Sequence, residues 1–189
     1  MKIKILIPIY NDWQSVFKLL ENIDQQILET KHDFSVLLIN DASKEARPDN
    51  LQNFLNSQVS KDRDVQLFTT IRTPIYDNTN ISRKHLGNLR FTYPSGAYPK
   101  EKQARTEFKE AYQKRFGDYP SKEAYRAYDV TLDVILRFAY QNTLYNPTLG
   151  ETDYLENRFL YEQDDPKGFQ NIAYYLLQHE DYQINEIKK

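Results

Sequence analysis

Residues 3–10 read Ile-Lys-Ile-Leu-Ile-Pro-Ile-Tyr, and an Asn-Asp pair follows directly. A β-branched run of this length, ended by turn-forming residues, predicts a strand buried on both faces. Asp12 can cap a helix over about residues 13–29, where apolar side chains recur at helical spacing. A second apolar strand follows over residues 34–39. This succession of strand, helix and strand predicts a right-handed βαβ unit in a parallel sheet.

The rest of the chain is predicted to contain further strands and helices, then a helical hairpin and a terminal β-hairpin. The further predicted elements are a helix over residues 48–59, strands over 65–70 and 89–93, a helix over 81–87 closed by Gly87, helices over 101–116 and 121–141, a helical turn over 152–157, a strand over 159–161, and strands over 171–177 and 182–187. The predicted class is α/β: a Rossmann-like, mostly parallel sheet flanked by helices. An αα-hairpin over about residues 101–141 and a C-terminal antiparallel β-hairpin complete it.

Composition excludes several classes of function. The 189 residues, 22.5 kDa, suit one domain of ordinary size. The 25 basic and 27 acidic side chains nearly balance, which argues against a nucleic-acid partner. Cysteine is absent, which rules out disulfides and thiolate metal ligands. No apolar run reaches the ~18 residues of a membrane span, and the start lacks the pattern of a signal peptide. We therefore expect no membrane partner and a cytoplasmic location.

The first quarter of the chain, about residues 2–45, resembles the opening of family 2 glycosyltransferases. The resemblance rests on Pro8-Ile9-Tyr10-Asn11 at one strand end and Asn40-Asp41-Ala42-Ser43 at the next. It implies a nucleotide-binding half-site in which Tyr10 stacks on a uracil ring. Asp12 and Asp41 would accept hydrogen bonds from the base or the ribose, although helix capping is an alternative role for Asp12.

The chain departs from that family in the metal-binding motif and in the acceptor region. The family holds Mn²⁺ or Mg²⁺ with an Asp-x-Asp motif that follows a later strand. Here Asp62-Arg63-Asp64 precedes a strand, and Asp164-Asp165 lies beside proline and glycine as a turn would. The family's acceptor region has no counterpart. We therefore assign no catalytic residue and no metal ligand, and we expect a cation only if the glycosyltransferase activity is present.

From about residue 51 to the end, the chain resembles the C-terminal part of type I periplasmic binding proteins of the branched-chain amino-acid class. The segments that carry this resemblance are residues 64–70, 89–95, 108–121, 127–134, 154–159 and 173–177. That family holds its ligand between two lobes. The resemblance implies Tyr93, Ser95, Tyr128 and Asp129 as candidates for a ligand cleft, with core packing as the alternative for Tyr128. The resemblance covers the later part of that family only, so we expect this chain to lack the ligand contacts that the family's opening half supplies.

Together the two resemblances predict a single composite α/β domain, joined near residues 42–50. Residues 1–45 would be the glycosyltransferase-like βαβ unit and residues 46–189 the binding-protein-like portion. A natural recombinant and a designed chimera both fit this sequence. The αα-hairpin would then have lost the surface it covers in the family, so we expect it either to cover a new surface or to leave an apolar face exposed, with a homodimer through that face as a hypothesis.

Three functions follow from these features. The first is a non-enzymatic or vestigial α/β domain that is at most a weak binder of a small molecule. The second is a glycosyltransferase that uses a UDP-sugar. The third is a solute-binding protein for amino acids or cell-wall fragments. Metal chemistry through histidine is not expected, because His32, His85 and His179 lack the spacing of metal ligands.

Overall fold

The computed structural model describes residues 2–28, 33–40, 64–77, 81–145, 149–164 and 168–187. The predicted helix over residues 48–59 and the predicted join near residues 42–50 lie outside these ranges. The chain forms two compact units. The first comprises Met1–Pro94 with Leu176–Lys189, and the second comprises Ser95–Tyr175.

The described residues contain four α-helices, one short 3-10 helix and ten strands. The helices are α1 (Trp13–Leu28), α2 (Arg83–Asn88), α3 (Gln103–Phe116) and α4 (Lys122–Gln141), with the 3-10 helix at Pro74–Asp77. The strands are β1 (Lys2–Ile9), β2 (Asp33–Asn40), β3 (Asp64–Thr69), β4 (Thr92–Ser95), β5 (Thr152–Asp153), β6 (Arg158–Phe159), β7 (Tyr161–Asp164), β8 (Gly168–Asn171), β9 (Tyr175–Glu180) and β10 (Gln183–Glu186).

One sheet of six strands runs in the order β1-β2-β3-β4-β9-β10. Strands β1 to β4 pair in parallel, with Ile7 opposite Leu38 and Leu38 opposite Leu67, and β9 and β10 pair antiparallel. These apolar positions are buried because they lie on the same face of the sheet in successive strands. The predicted mixed α/β class, with a mostly parallel sheet, flanking helices and antiparallel C-terminal strands, is confirmed.

Strand β1 buries one face only, so the prediction of burial on both faces is wrong. Ile7 and Ile9 are buried, whereas Pro8 is exposed and Leu6 is 56% exposed. Successive side chains of a strand point to opposite faces, so this alternation means that one face is covered. Apolar composition alone did not distinguish the two cases, because Leu6 and Pro8 look as apolar as their buried neighbours.

Gly87 does not close its helix as predicted, but lies buried within α2. A Cβ built there would lie 2.3 Å from the backbone oxygen of Asp181, which approaches from the β9–β10 turn. The chain leaves the helix at Arg90, which takes the left-handed conformation with a φ of 46°. Gly87 is therefore required for close packing of two segments far apart in sequence.

The terminal hairpin has a different register from the predicted one. Glu180 pairs with Gln183, and Asp181 takes a positive φ of 51°, so the turn is two residues long and follows Glu180. The hairpin predicted over residues 171–177 and 182–187 therefore has the wrong first strand. Sequence pattern could not locate this turn, because aspartate adopts a positive φ only where its surroundings favour it.

The second unit consists of α3 and α4 with two small antiparallel sheets, β5-β6 and β7-β8. The two helices contact each other through aromatic rings, with Phe108 centred 5.4 Å from Tyr125 and 4.6 Å from Tyr128. Ser121 caps α4 by accepting a hydrogen bond from the backbone N–H of Ala124. The helical turn predicted over residues 152–157 is wrong, since these residues belong to β5 and the turn after it. None of the described helices has the length and apolar character needed to cross a membrane.

Candidate functional site

Asp129 anchors a loop that forms part of the wall of a cavity in the second unit. Its buried carboxylate accepts hydrogen bonds from the backbone N–H groups of Leu155, Glu156 and Asn157, at 3.0–3.1 Å, and from the Asn157 side chain at 2.9 Å. We call residues 149–160 the anchored loop. The carboxylate thus accepts four hydrogen bonds, and three of them satisfy backbone N–H groups that would otherwise lack a partner. Asp129 therefore lies behind the cavity wall, as a positioning residue.

A buried ion pair fastens the same loop one turn further along α4. Arg137 donates to Asp133 at 2.8 Å, and both side chains are almost completely buried. The guanidinium also donates to the carbonyl oxygens of Gly150 and Phe159 at 3.1 and 3.2 Å. The Tyr154 hydroxyl donates to Asp133 at 3.0 Å, and burial together with that carboxylate raises the pKa of Tyr154 to about 12. Phe159 and Tyr161 belong both to this network and to the lining of the cavity, since the Arg137 guanidinium also lies 5.0 Å from the Tyr161 ring.

The cavity in front of the anchored loop, which we call the polar cleft, has a volume of about 470 Å³. This volume lies within the range of small-molecule sites. All the lining residues belong to the second unit: Ser95, Gly96, Ala97, Lys122, Arg126, Val130, Glu156, Asn157, Arg158, Phe159, Tyr161 and Asn171. Ser95 is therefore the one sequence-predicted candidate that lines this cleft. The wall is mixed, with the apolar side chains of Val130 and Phe159 among polar and charged groups.

Three uncharged polar side chains of the cleft make hydrogen bonds within the protein. The Ser95 hydroxyl donates to the carbonyl of Ala97 at 2.8 Å. The Asn157 amide donates to Asp129. Asn171 accepts from the backbone N–H of Leu160 at 2.9 Å and donates to the carbonyl of Arg158 at 3.0 Å. These groups hold the walls of the cleft in place.

Two of the four charged side chains of the cleft are paired with residues that do not line it. Glu156 forms an ion pair with Arg105 at 2.7 Å, and its side chain is buried. Arg158 lies 3.1 Å from Glu151 and 4.1 Å above the ring of Tyr175. The charges of Glu156 and Arg158 are therefore each balanced by a neighbouring side chain of opposite charge.

Lys122 and Arg126 are the two remaining charged residues of the cleft. They lie four residues apart on α4, on the same face as Val130, and both are exposed. Within the part of the chain that the structure describes, no hydrogen bond or ion pair is formed by the Arg126 guanidinium. Sequence reasoning missed both residues. The signal available was a pair of basic residues at a spacing of four with no acidic residue between them on that face.

Tyr128 lies at a different surface of the second unit. It is 41% exposed and lines an apolar groove of about 530 Å³ with the aromatic side chains of α3. Rings at Phe108, Tyr112 and Phe116 follow one another along this groove, with centroids 5.8 and 4.6 Å apart. Tyr128 and Asp129 are adjacent in sequence but point to different places, because neighbouring residues on a helix diverge by about 100°.

The predicted nucleotide half-site lies only partly within the described residues. Tyr10 follows the carboxyl end of β1 and is 66% exposed. Asp12 caps α1, since its carboxylate accepts a hydrogen bond from the backbone N–H of Ser15 at 3.2 Å. The expected capping role of Asp12 is thereby confirmed. Asp41 lies outside the described residues.

Tyr93 belongs to the core of the first unit. Its buried ring lies 5.4 Å from that of Phe91 and 6.0 Å from that of His179, and the Arg72 guanidinium lies 5.2 Å above it. Arg72 in turn forms a two-point ion pair with Asp77. Tyr93 therefore packs against neighbours from three segments of the first unit.

His179 makes the first unit sensitive to acid. Burial, with a smaller effect of Arg72 and Arg83, lowers its pKa from 6.5 to about 4, and Asp77 opposes this only weakly. Between pH 6.5 and 4, His179 is therefore protonated in the unfolded chain but largely neutral in the folded one. The free energy of unfolding is highest above pH 6.5 and falls as the pH drops toward 4. The expected loss is about 3 kcal/mol. Urea unfolding across this range should show it, and H179F should remove most of the fall.

The matched control for this prediction is H85F, which replaces another histidine of the same unit. It should leave the fall in stability unchanged. If H179F and the parent lose stability equally between pH 6.5 and 4, His179 is not the group responsible.

Comparison of the chain with family models, with curated proteins and with solved structures gives no match. The two family resemblances therefore stay predictions that rest on the motifs alone. Among the described residues, no three side chains of histidine, aspartate or glutamate come together as metal ligands do.

Proposed function

We propose that the chain is a non-enzymatic α/β protein that binds a small molecule in the polar cleft, and binds it weakly. The observation that carries this proposal is the cleft itself, about 470 Å³ in volume and walled by a loop that Asp129 holds through four hydrogen bonds. A pre-formed cavity with mixed apolar and polar walls is the usual form of a small-molecule site. Its exposure to solvent favours weak binding.

The chemistry around the cleft supports binding rather than catalysis. A general acid or base must reach the substrate with a free carboxyl or imidazole group. Glu156 is paired with Arg105, while Asp129 and Asp133 direct their oxygens to the anchored loop and to Arg137. These three carboxylates are therefore occupied by structural contacts.

Filling the cleft from Gly96 tests the proposal. A Cβ built at Gly96 meets no atom within 4 Å, so a larger side chain has room there without displacing the backbone. We expect G96F to occupy the cleft and abolish binding, while the melting temperature of the free protein stays within a few degrees. The readout is the melting temperature in the presence of amino acids, sugars, dicarboxylates and nucleotides. A ligand at 100 times its Kd adds about 2.7 kcal/mol to stability.

The matched control is G96A, whose single methyl group leaves most of the volume open. It should bind as the parent does. If no compound of the panel stabilises the parent, or if G96F still responds to one that does, the cleft is not the binding site.

A nucleotide-sugar-dependent glycosyltransferase is the second candidate. The observation in its favour is that Tyr10 stands exposed at the carboxyl end of β1, where Ile9 pairs with Asn40 on the neighbouring strand. Ligands of open α/β sheets bind at this edge. UDP with Mn²⁺ should then stabilise the parent but not Y10A, and turnover of a UDP-sugar would establish the activity. A cytoplasmic location fits both candidates.

The finer features of the fold belong to the same proposal. We infer a Rossmann-like arrangement of β1 to β4 and a composite origin from two families, which an aligned relative spanning residues 42–50 would test.

We also propose that the chain forms a homodimer, because α4 exposes the apolar side chains of Ile135, Leu136 and Phe138. A monomer on gel filtration at high concentration would contradict the dimer. A solute-binding protein for amino acids or cell-wall fragments remains the third candidate, and the same panel tests it.

A further inference from the structure

We propose that the ligand of the polar cleft is a small anion, carrying a carboxylate or phosphate group that Lys122 and Arg126 bind together. This inference rests on the proposed function, since it assigns a ligand class to the same cleft. It depends on three features of the second unit: which polar groups of the wall are already occupied, where the remaining charges lie, and what the rest of the wall offers.

Most polar groups of the wall have partners within the protein. Ser95 and Asn171 bond to the backbone, Asn157 bonds to Asp129, and Glu156 is paired with Arg105. A ligand that used these groups would have to break contacts that shape the cleft. Recognition therefore falls to the side chains without such contacts, and those of Lys122 and Arg126 are both cationic.

The two cations lie close together on one helix face. Residues four apart on a helix are neighbours, and two like charges at this spacing destabilise the helix slightly. Glu123, the nearest carboxylate along the chain, accepts hydrogen bonds from its own backbone N–H and from Ser121, and Lys122 affects its pKa least. Among the described residues, neither Lys122 nor Arg126 forms an ion pair with a carboxylate. An anion bound to both would therefore relieve their mutual repulsion.

The geometry of the side chains favours oxyanions. The guanidinium of Arg126 is planar and offers parallel donors that fit a carboxylate or a phosphate, while the ammonium of Lys122 acts as a compact point charge. Val130 lies one turn further along the same face, and Phe159 faces the same cleft. These apolar groups suit a short carbon skeleton attached to the anionic group. Both a small dicarboxylic acid and an inorganic or organic phosphate have the required chemistry.

Calorimetric titration of the full chain at low ionic strength tests the inference with three probes. Succinate presents carboxylates, inorganic phosphate presents a phosphate, and succinamide is the uncharged analogue of succinate. We expect at least one of the two anions to bind, with succinamide about tenfold or more weaker. Binding should weaken as sodium chloride is raised, because salt screens exposed charges. In a ¹⁵N-labelled sample, the perturbed signals should include the Arg126 side chain and the amides of residues 95–97 and 156–158.

The paired variants are K122Q/R126Q, which removes both cleft cations, and K114Q/R115Q, which removes two exposed cations of α3. We expect the first variant to lose about tenfold or more in affinity for the anion and the second to bind as the parent does. Binding by succinate alone or by phosphate alone identifies which oxyanion the cleft prefers.

Two negative results have different meanings. If succinamide or another neutral compound binds as tightly as the anions and K122Q/R126Q leaves affinity unchanged, while G96F abolishes binding, the proposed function stands and the anion assignment is overturned. If neither the anions nor the neutral panel binds to the parent, both proposals fail. Equal losses in the two double variants would also overturn the assignment, because the effect would then be one of net charge.

Discussion

Replacing Arg137 by methionine should lower the free energy of unfolding of the second unit by about 3–5 kcal/mol. Methionine retains much of the volume but removes the charge opposite Asp133, whose carboxylate is fully buried. It also deprives the carbonyl oxygens of Gly150 and Phe159 of a donor. A buried charge without its partner is strongly destabilising, unlike the loss of an exposed one. Urea unfolding followed by far-UV circular dichroism measures the effect.

Two comparisons make this prediction specific. R115Q removes an exposed arginine of the same unit and should change stability by less than about 0.5 kcal/mol. D133L/R137M removes both charges together and should recover part of the loss, because no unpaired charge remains. A single R137M variant within 1 kcal/mol of the parent would show that the pair contributes little to the fold.

Replacing Asp129 by alanine should destabilise the second unit by about 4 kcal/mol or more, because three backbone N–H groups of the anchored loop lose their acceptor. D129N should cost less, about 2–3 kcal/mol, since one amide oxygen can still accept while the NH₂ group faces a donor. Ligand binding should fall with stability in both variants, because Glu156 and Asn157 belong to the anchored loop and to the cleft wall.

Amide hydrogen exchange gives the residue-level measurement for Asp129. In D129N, the amides of Leu155, Glu156 and Asn157 should exchange faster, while those of β2 and β3 keep the rates of the parent. The charge-matched control is E110Q, an exposed position on α3, which should leave all of these rates unchanged. Unchanged protection of the three loop amides in D129N would contradict the assigned anchoring role.

The sequence predicted the first βαβ segment closely, and the reason is local. Residues 2–9, 13–28 and 33–40 have strong periodicity, a capping aspartate and clear turn residues, and the structure places the elements within a residue of the predicted bounds. Gly117 and Ser121 likewise mark the end of α3 and the start of α4 as predicted. Patterns of this kind act within a few residues, so they survive whatever the rest of the chain does.

The candidate site was predicted much less well, and the reason lies in contacts that are distant in sequence. Of the four residues predicted for a ligand cleft, only Ser95 lines the polar cleft. The residues that complete the wall come from the segment just after β4, from α4, from the anchored loop, from β7 and from β8. Their meeting depends on the hydrogen bonds that Asp129 makes with residues 26 to 28 positions later. No pattern local to either segment encodes such a contact.

Helix α4 shows which features follow from the local sequence and which depend on tertiary contacts. Its boundaries and amphipathic character follow from short-range chemistry: the Ser121 cap, the helical spacing of apolar residues, and the left-handed Asn142 that ends it. The face it buries does not. Ile135 and Leu136 are apolar residues of this helix, yet the chain buries Asp129, Asp133 and Arg137 and leaves those apolar residues exposed. The charged face turns inward because the anchored loop supplies hydrogen-bond partners for it, and those partners exist only once the loop has folded back on the helix.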